Sequence, residues 1–179
     1  MPLVSLSVAF RAGLLAENMD SSGITALFAS SLFKGSKKRS ASELDNMLES
    51  LGGSAGAGSG NNSFYVNAGV MSPDLARAMD VVSDVICNPA FPVDAIEREQ
   101  QTQVAAIHEE MERPMGAALA AARKAMYAPH PYATMRLGGP GGGLWAREWV
   151  EVRRAGGGPR GGGTQPPWGG WGRGGRGVG

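Results

Sequence analysis

The chain has 179 residues and a net charge of +1, one domain's worth of sequence with no strong field toward nucleic acid, a membrane surface or an acidic substrate. A single cysteine, Cys87, excludes an internal disulfide framework, and no run approaches the roughly 20 apolar residues of a membrane span. The chain start has no basic stretch ahead of an apolar block, so it lacks the pattern of a secretory signal, and a cytoplasmic location is the default.

Residues 2–10 set Leu3, Ser5 and Ser7 against Val4, Leu6, Val8 and Phe10, the period of two of a strand with one buried face. Residues 11–22 read as a loop, with Asp20, Ser21 or Ser22 as the N-cap of a mostly buried helix over residues 23–33. Ser40 followed by Glu43 is a capping-box pattern ahead of Leu44, Met47, Leu48 and Leu51, so a second helix starts there and Gly52-Gly53 ends it. Residues 54–60 and 62–71 pair as antiparallel strands with Asn61-Asn62 at the bend, the second strand alternating Phe64, Val66, Ala68 and Val70.

Ser72-Pro73-Asp74 opens a third helix with an apolar stripe of Leu75, Met79, Val82, Val85 and Ile86, ended by Asn88-Pro89. Pro92 and Asp94 open a fourth that runs to about residue 112, and Pro114 an alanine-rich fifth that ends near Tyr127. The order is βααββααα, an α+β fold with helices on a largely antiparallel sheet. Composition then breaks: 18 of the 28 glycines and all four tryptophans lie from Gly138 onward, and residues 141–179 lack Lys, Asp, Asn, Ser, Ile, Phe, Tyr and Met. Such a segment cannot build a core, so the reading is a folded unit over residues 1–140 and a disordered Gly/Arg/Pro/Trp-rich tail over residues 141–179.

Residues 23–36, Gly-Ile-Thr-Ala-Leu-Phe-Ala-Ser-Ser-Leu-Phe-Lys-Gly-Ser, resemble the segment G-I-A-H-x-x-E-H-x-x-F-K-G-T of insulinase (pitrilysin) metallopeptidases. Phe10-Arg11-Ala12-Gly13, Leu51-Gly52-Gly53, Asn88-Pro89-Ala90-Phe91, Glu97-Arg98-Glu99 and Ala128-Pro129-His130-Pro131-Tyr132 resemble further family segments, in order, over about residues 3–140. In active members two histidines one turn apart hold zinc and the intervening glutamate activates the metal-bound water. Laid on that motif, the first histidine is Ala26, the base glutamate Ala29 and the second histidine Ser30. The third ligand, a glutamate seven residues beyond the Glu of an Arg-Glu pair resembled by Arg98-Glu99, falls on Ala106, and a one-residue shift gives Ile107. The resemblance therefore implies the non-catalytic, zinc-free kind of domain, which binds no cofactor and confines unfolded peptide beside a catalytic half or subunit that supplies the zinc. It also implies an incomplete domain, since the family fold usually carries another strand before Leu3 and more structure after Pro140.

Other residues have plainer readings. His108 and Glu112, with Glu109 and Glu110, form a solvated helix face; His130, between two prolines, is a turn residue; Lys37-Lys38-Arg39 is a solvated connection; and residues 56–60 are a weak strand with no helix directly after, unlike a phosphate loop. Arg173-Gly174-Gly175-Arg176 suits an RNA-binding alternative in which the arginine-glycine tail is the working part. Because Gly, Arg, Pro, Ala and Trp have GC-rich codons, a change of reading frame is the simpler account of the tail, and nucleic acid is not the expected partner. A non-functional truncated product is the third reading.

Overall fold

The computed structural model describes residues 2–18 and 21–139. The readings of residues 140–179, and of Asp20 as a cap, lie outside the described residues.

The elements follow the expected order: β1 (Leu3–Arg11), α1 (Ile24–Leu32), α2 (Ala41–Ser50), β2 (Ser54–Ser59), β3 (Ser63–Met71), α3 (Leu75–Cys87), α4 (Val93–Glu112) and α5 (Pro114–Tyr127), with single 3-10 turns at Leu14–Ala16, Ser72–Asp74 and Pro131–Ala133. The fold is α+β. Its sheet has three strands in the order β1-β3-β2, antiparallel throughout. Phe64 lies opposite Phe10 on one side and Ser59 on the other. The β2–β3 hairpin closes over Asn61-Asn62, where the Gly60 N–H donates to the Ser63 carbonyl at 2.7 Å.

Alternation explains the sheet's single buried face. In β3 the side chains of Phe64, Val66, Ala68 and Val70 are buried, and β1 exposes Leu3, Ser5 and Ser7 while half-burying Val4, Leu6, Val8 and Phe10. Helices α1, α2 and α3 cover that face. One core joins Leu27, Ala29 and Leu32 of α1, Leu44 and Leu48 of α2, Phe64, Val66 and Ala68 of β3, Val81, Val82 and Val85 of α3, and Phe91 and Ile96. Phe28 sits between two rings, edge-on to Phe64 at 5.1 Å and tilted against Phe91 at 5.2 Å. Phe91 holds a positive φ of 49°, an unfavourable conformation for a residue with a side chain that burial of its ring offsets.

Two local readings are corrected. The N-cap position of α1 is Gly23, in a left-handed conformation with no side-chain cap from Ser21 or Ser22. A Cβ at Gly23 would stand 2.3 Å from the Leu137 carbonyl oxygen, so close backbone approach requires glycine there. In α3 the buried set is Ala78, Val81, Val82, Asp84 and Val85, whereas Met79 is exposed and Leu75 and Ile86 are half-buried. Val82 and Val85 of the expected stripe are in the core, and the buried face continues through Ala78 and Val81 rather than through Met79, where α3 packs on β3.

The capping box of α2 is present as read. The Ser40 backbone N–H and hydroxyl donate to the Glu43 carboxylate at 2.7 and 2.8 Å, and the Glu43 N–H donates back to the Ser40 hydroxyl at 3.4 Å. Those donors, the backbone N–H first, hold the Glu43 carboxyl below its ordinary pKa.

Candidate functional site

Helix α1 carries the positions at which the sequence matches the zinc motif, and it packs on β2, β3 and α4. Ala26 and Ser30 are one turn apart on one helix face. Ala26 is half-buried and Ser30 is exposed, its hydroxyl donating to the Leu27 carbonyl at 3.1 Å. Ala29, three residues beyond Ala26, is turned toward the core and buried in it. On α4, Ala106 is half-buried, one turn beyond Gln103, and Ile107 is buried. The four positions thus lie on two contacting helices, but a methyl group has no lone pair to give a metal, and the one hydroxyl is engaged by its own helix. Among the described residues no group of three or more His, Cys, Asp and Glu side chains is placed to hold a metal ion. The residues at these positions do not fit zinc.

What fixes α1 in place comes from residues that no local pattern marks. Glu17 is buried, and its two carboxylate oxygens accept from the Gly23 N–H at 2.7 Å and the Thr25 N–H at 2.9 Å. A carboxylate at a helix N-terminus satisfies orphan donors and complements the helix dipole, so Glu17, six residues upstream, does the work expected of Asp20, Ser21 or Ser22. Gln103 on α4 donates through Nε2 to the Gly23 carbonyl at 3.0 Å and the Leu137 carbonyl at 2.6 Å, tying α1, α4 and the last described segment together. At the far end of α1, Lys34 pairs with Glu99 at 3.0 Å.

The basic connection after α1 is corrected in part. Lys37 and Lys38 are exposed, as a solvated connection requires, but Arg39 bridges Asp80 at 2.5 Å and Asp84 at 2.9 Å on α3. Asp84 is buried and also accepts from the Ser36 hydroxyl at 2.6 Å and from Asn88 Nδ2 at 3.5 Å. The Ser36 hydroxyl, then the Arg39 guanidinium, hold the Asp84 carboxyl below its usual range against the opposing effect of burial. One signal was available: Asp84 stands between Val82 and Val85, where a charge is tolerated only if paired.

The remaining candidates stay apart from α1's motif. Glu109 and Glu110 pair with Arg113, and His108 and Glu112 are exposed on the same stretch of α4. His130 caps the turn at Pro131–Ala133, its Nδ1 accepting from the Tyr132 N–H at 3.2 Å, and β2 is the glycine-rich strand that was read over residues 56–60.

An antiparallel sheet roofed by helices, the first with Ala26, Ala29 and Ser30 at the positions that resemble a zinc motif, defines the class: an α+β domain of the metallopeptidase type. Residues 2–137 match the family described as Insulinase (Peptidase family M16), and the chain belongs to that family. It is 28% identical over 98 residues to an uncharacterized zinc protease of Rickettsia bellii, covering 55% of this chain and 24% of that one. It is 33% identical over 89 residues to the human mitochondrial-processing peptidase subunit beta, covering 50% of this chain and 18% of that subunit. The chain thus spans about a quarter or less of the length of these relatives. The peptidase M16 inactive domain from Pseudomonas fluorescens has a similar fold, with a TM-score of 0.74 at 22% identity over 85% of this chain and 38% of that one. A protease from Helicobacter pylori gives 0.73 at 18% identity over 84% and 38%.

Proposed function

We propose that this chain is a zinc-free, non-catalytic insulinase-family domain that binds extended peptide along the free edge of β2, beside a catalytic half that supplies the zinc. The observation that carries the reading is the packing of α1 against β2, which sets the ligand-free positions Ala26 and Ser30 on a helix next to an edge strand. β2 pairs with β3 on one side, and among the described strands none pairs with its other edge. An unpaired edge offers a row of backbone donors and acceptors to an extended chain. The exposed side of β2 carries Ser54 and Gly56, and nothing stands within 4 Å of where a Gly56 Cβ would be, so a peptide meets little steric hindrance there. Peptide binding of this kind reads backbone more than side chain, which suits confinement of unfolded substrate.

Support for the inactive half of the proposal is chemical. Hydrolysis in this family needs a metal-bound water and a general base, and Ala26, Ala29, Ser30 and Ala106 supply neither ligand nor base. The domain's part is therefore holding substrate, and the partner is a chain of the same family bearing the intact motif.

Two measurements test this. Metal analysis of the purified chain should find zinc far below one per chain, with no chelator-sensitive peptide hydrolysis; stoichiometric zinc together with hydrolysis that a chelator abolishes would refute it. Fluorescence anisotropy with an unstructured, labelled peptide should show binding that Ala57→Pro weakens: the hairpin register sends the Gly56 N–H to β3 and the Ala57 N–H to the free edge, and proline there removes an edge donor while sparing the ladder. Binding unchanged in a folded Ala57→Pro variant would remove β2 as the peptide site.

A further inference from the structure

Strand β1 is an edge strand as β2 is, since β3 lies between them and no other described strand pairs with either. Its ladder to β3 has a fixed phase. The Ala12 N–H donates to the Asn62 carbonyl at 3.4 Å and the Ser72 N–H to the Pro2 carbonyl at 3.0 Å, so in this register the even-numbered residues of β1 bond to β3. Leu3, Ser5, Ser7, Ala9 and Arg11 therefore turn their N–H and C=O groups to the free edge. Edge strands are commonly guarded by proline, lysine or a bulge. Over Leu3–Arg11 the register runs unbroken with none of these, and the one charge, Arg11, stands at the end. The chain that follows turns away from this edge to the β2–β3 hairpin, where the Leu14 and Leu15 N–H groups donate to the Gly60 and Asn61 carbonyls at 3.3 and 2.9 Å.

The core face beside the edge is unfinished as well. Val70, Ala68, Val66 and Phe64 of β3 are buried, but Val4, Leu6, Val8 and Phe10, opposite them in β1, are only half-buried. The reason is the placing of the helices: α1 packs on β2 and β3, α2 on β2 and α3 on β3.

We infer that β1 of a second copy of this chain pairs with this edge, antiparallel about a two-fold axis through Ser7. The strand is self-complementary about that point. With Ser7 opposite Ser7, Ser5 meets Ala9 and Leu3 meets Arg11; all are edge-facing, so each facing pair exchanges two backbone hydrogen bonds. Between them the half-buried side chains meet, Val4 with Phe10 and Leu6 with Val8, in the closer kind of cross-strand pair, where aromatic and branched apolar residues stabilise one another. No charge stands opposite a like charge. An axis normal to the sheet keeps the helices of both copies on one side, and the two β3 strands then lie about 14 Å apart, which leaves room for both α3 helices. A slip of one residue would turn the apolar face outward, and a slip of two would lose a bonded pair. An arbitrary extended peptide meets the backbone groups alone, whereas a second β1 also continues the apolar face. The inference is independent of the peptide site on β2.

Sedimentation velocity on the full chain, up to about 100 μM, tests this. The expected result is a concentration-dependent species of twice the chain mass. Ser7→Pro, which removes the central edge N–H and spares the ladder to β3, should return it to monomer with unchanged far-ultraviolet circular dichroism, whereas Ala57→Pro on the β2 edge should leave the dimer intact. Ser7→Lys and Ser7→Glu, at an exposed side chain, set like charges face to face and should each weaken association by about tenfold, and an equimolar mixture of the two should recover it. A wild-type chain that stays monomeric at the highest concentration overturns the inference, as does a dimer indifferent to Ser7→Pro and Ser7→Lys, or one that Ala57→Pro abolishes. Failure of the mixed variants to recover association overturns the register centred on Ser7.

Discussion

Helices α3 and α5 are nearly equal in length and both rich in apolar residues, yet five side chains of α3 are buried and α5 buries only Gly116. The difference lies in their neighbours. α3 is roofed over β3 and held by Arg39, Ser36 and Asn88, which reach Asp84 from the connection after α1 and the end of α3 itself. α5 touches α4 along one edge and the turn at Pro131–Ala133, and otherwise faces outward. Apolar content marks a helix as able to be buried; only a partner element buries it.

The same chemical change should therefore give very different results in the two regions. Leu44→Ala, at a residue fully buried where α2 meets the core, should cost about 3 kcal/mol in a denaturant titration, while Leu119→Ala in dilute chain should stay within about 0.5 kcal/mol. Equal losses would mean that α5 is sheltered within the monomer and would erase the contrast. Asp84→Ala should follow at about 3 kcal/mol, because it leaves the Ser36 hydroxyl without its acceptor and Arg39 with Asp80 alone.

The Asp84 contribution has a defined direction with pH. Its carboxyl pKa is lower folded than unfolded, so the stabilisation is fully present above the unfolded value of about 4 and is lost as pH falls through the folded one. Stability measured from pH 6 downward should drop more steeply in wild type than in Asp84→Asn; parallel curves would show that the network around α3 does not carry the charge. Glu17→Gln should cost about 2 kcal/mol by weakening both bonds to the start of α1. The smallest effect, about 1 kcal/mol, is expected from Ser40→Ala at the α2 cap, with thermal unfolding as the readout for both.

Features governed by short-range rules were legible in the sequence. The Ser40–Glu43 box, the turn at Asn61-Asn62, the alternation of β3 and the proline that opens α5 each depend on residues within a few positions of one another, and each appears where it was read. The sequence displays the side chains at the motif positions, three alanines and one serine hydroxyl at Ala26, Ala29, Ala106 and Ser30, but not what holds their helix: nothing in residues 17–25 announces that Glu17, rather than a serine, caps α1. That choice was settled when Gly23 came against Leu137 and Gln103, more than 70 residues downstream.

The order of elements, the single buried face of the sheet and the absence of metal-binding atoms along the motif helix were determined by the sequence alone, since backbone hydrogen bonding, side-chain periodicity and the identity of donor atoms are local properties. Tertiary structure decided that the buried face of α3 runs through Ala78 and Val81 and leaves Met79 exposed, that Asp84 is paired in the interior and that the apolar side chains of α5 are left bare. Burial is a relation between segments distant in the chain, and a pattern read within one segment does not contain its partner.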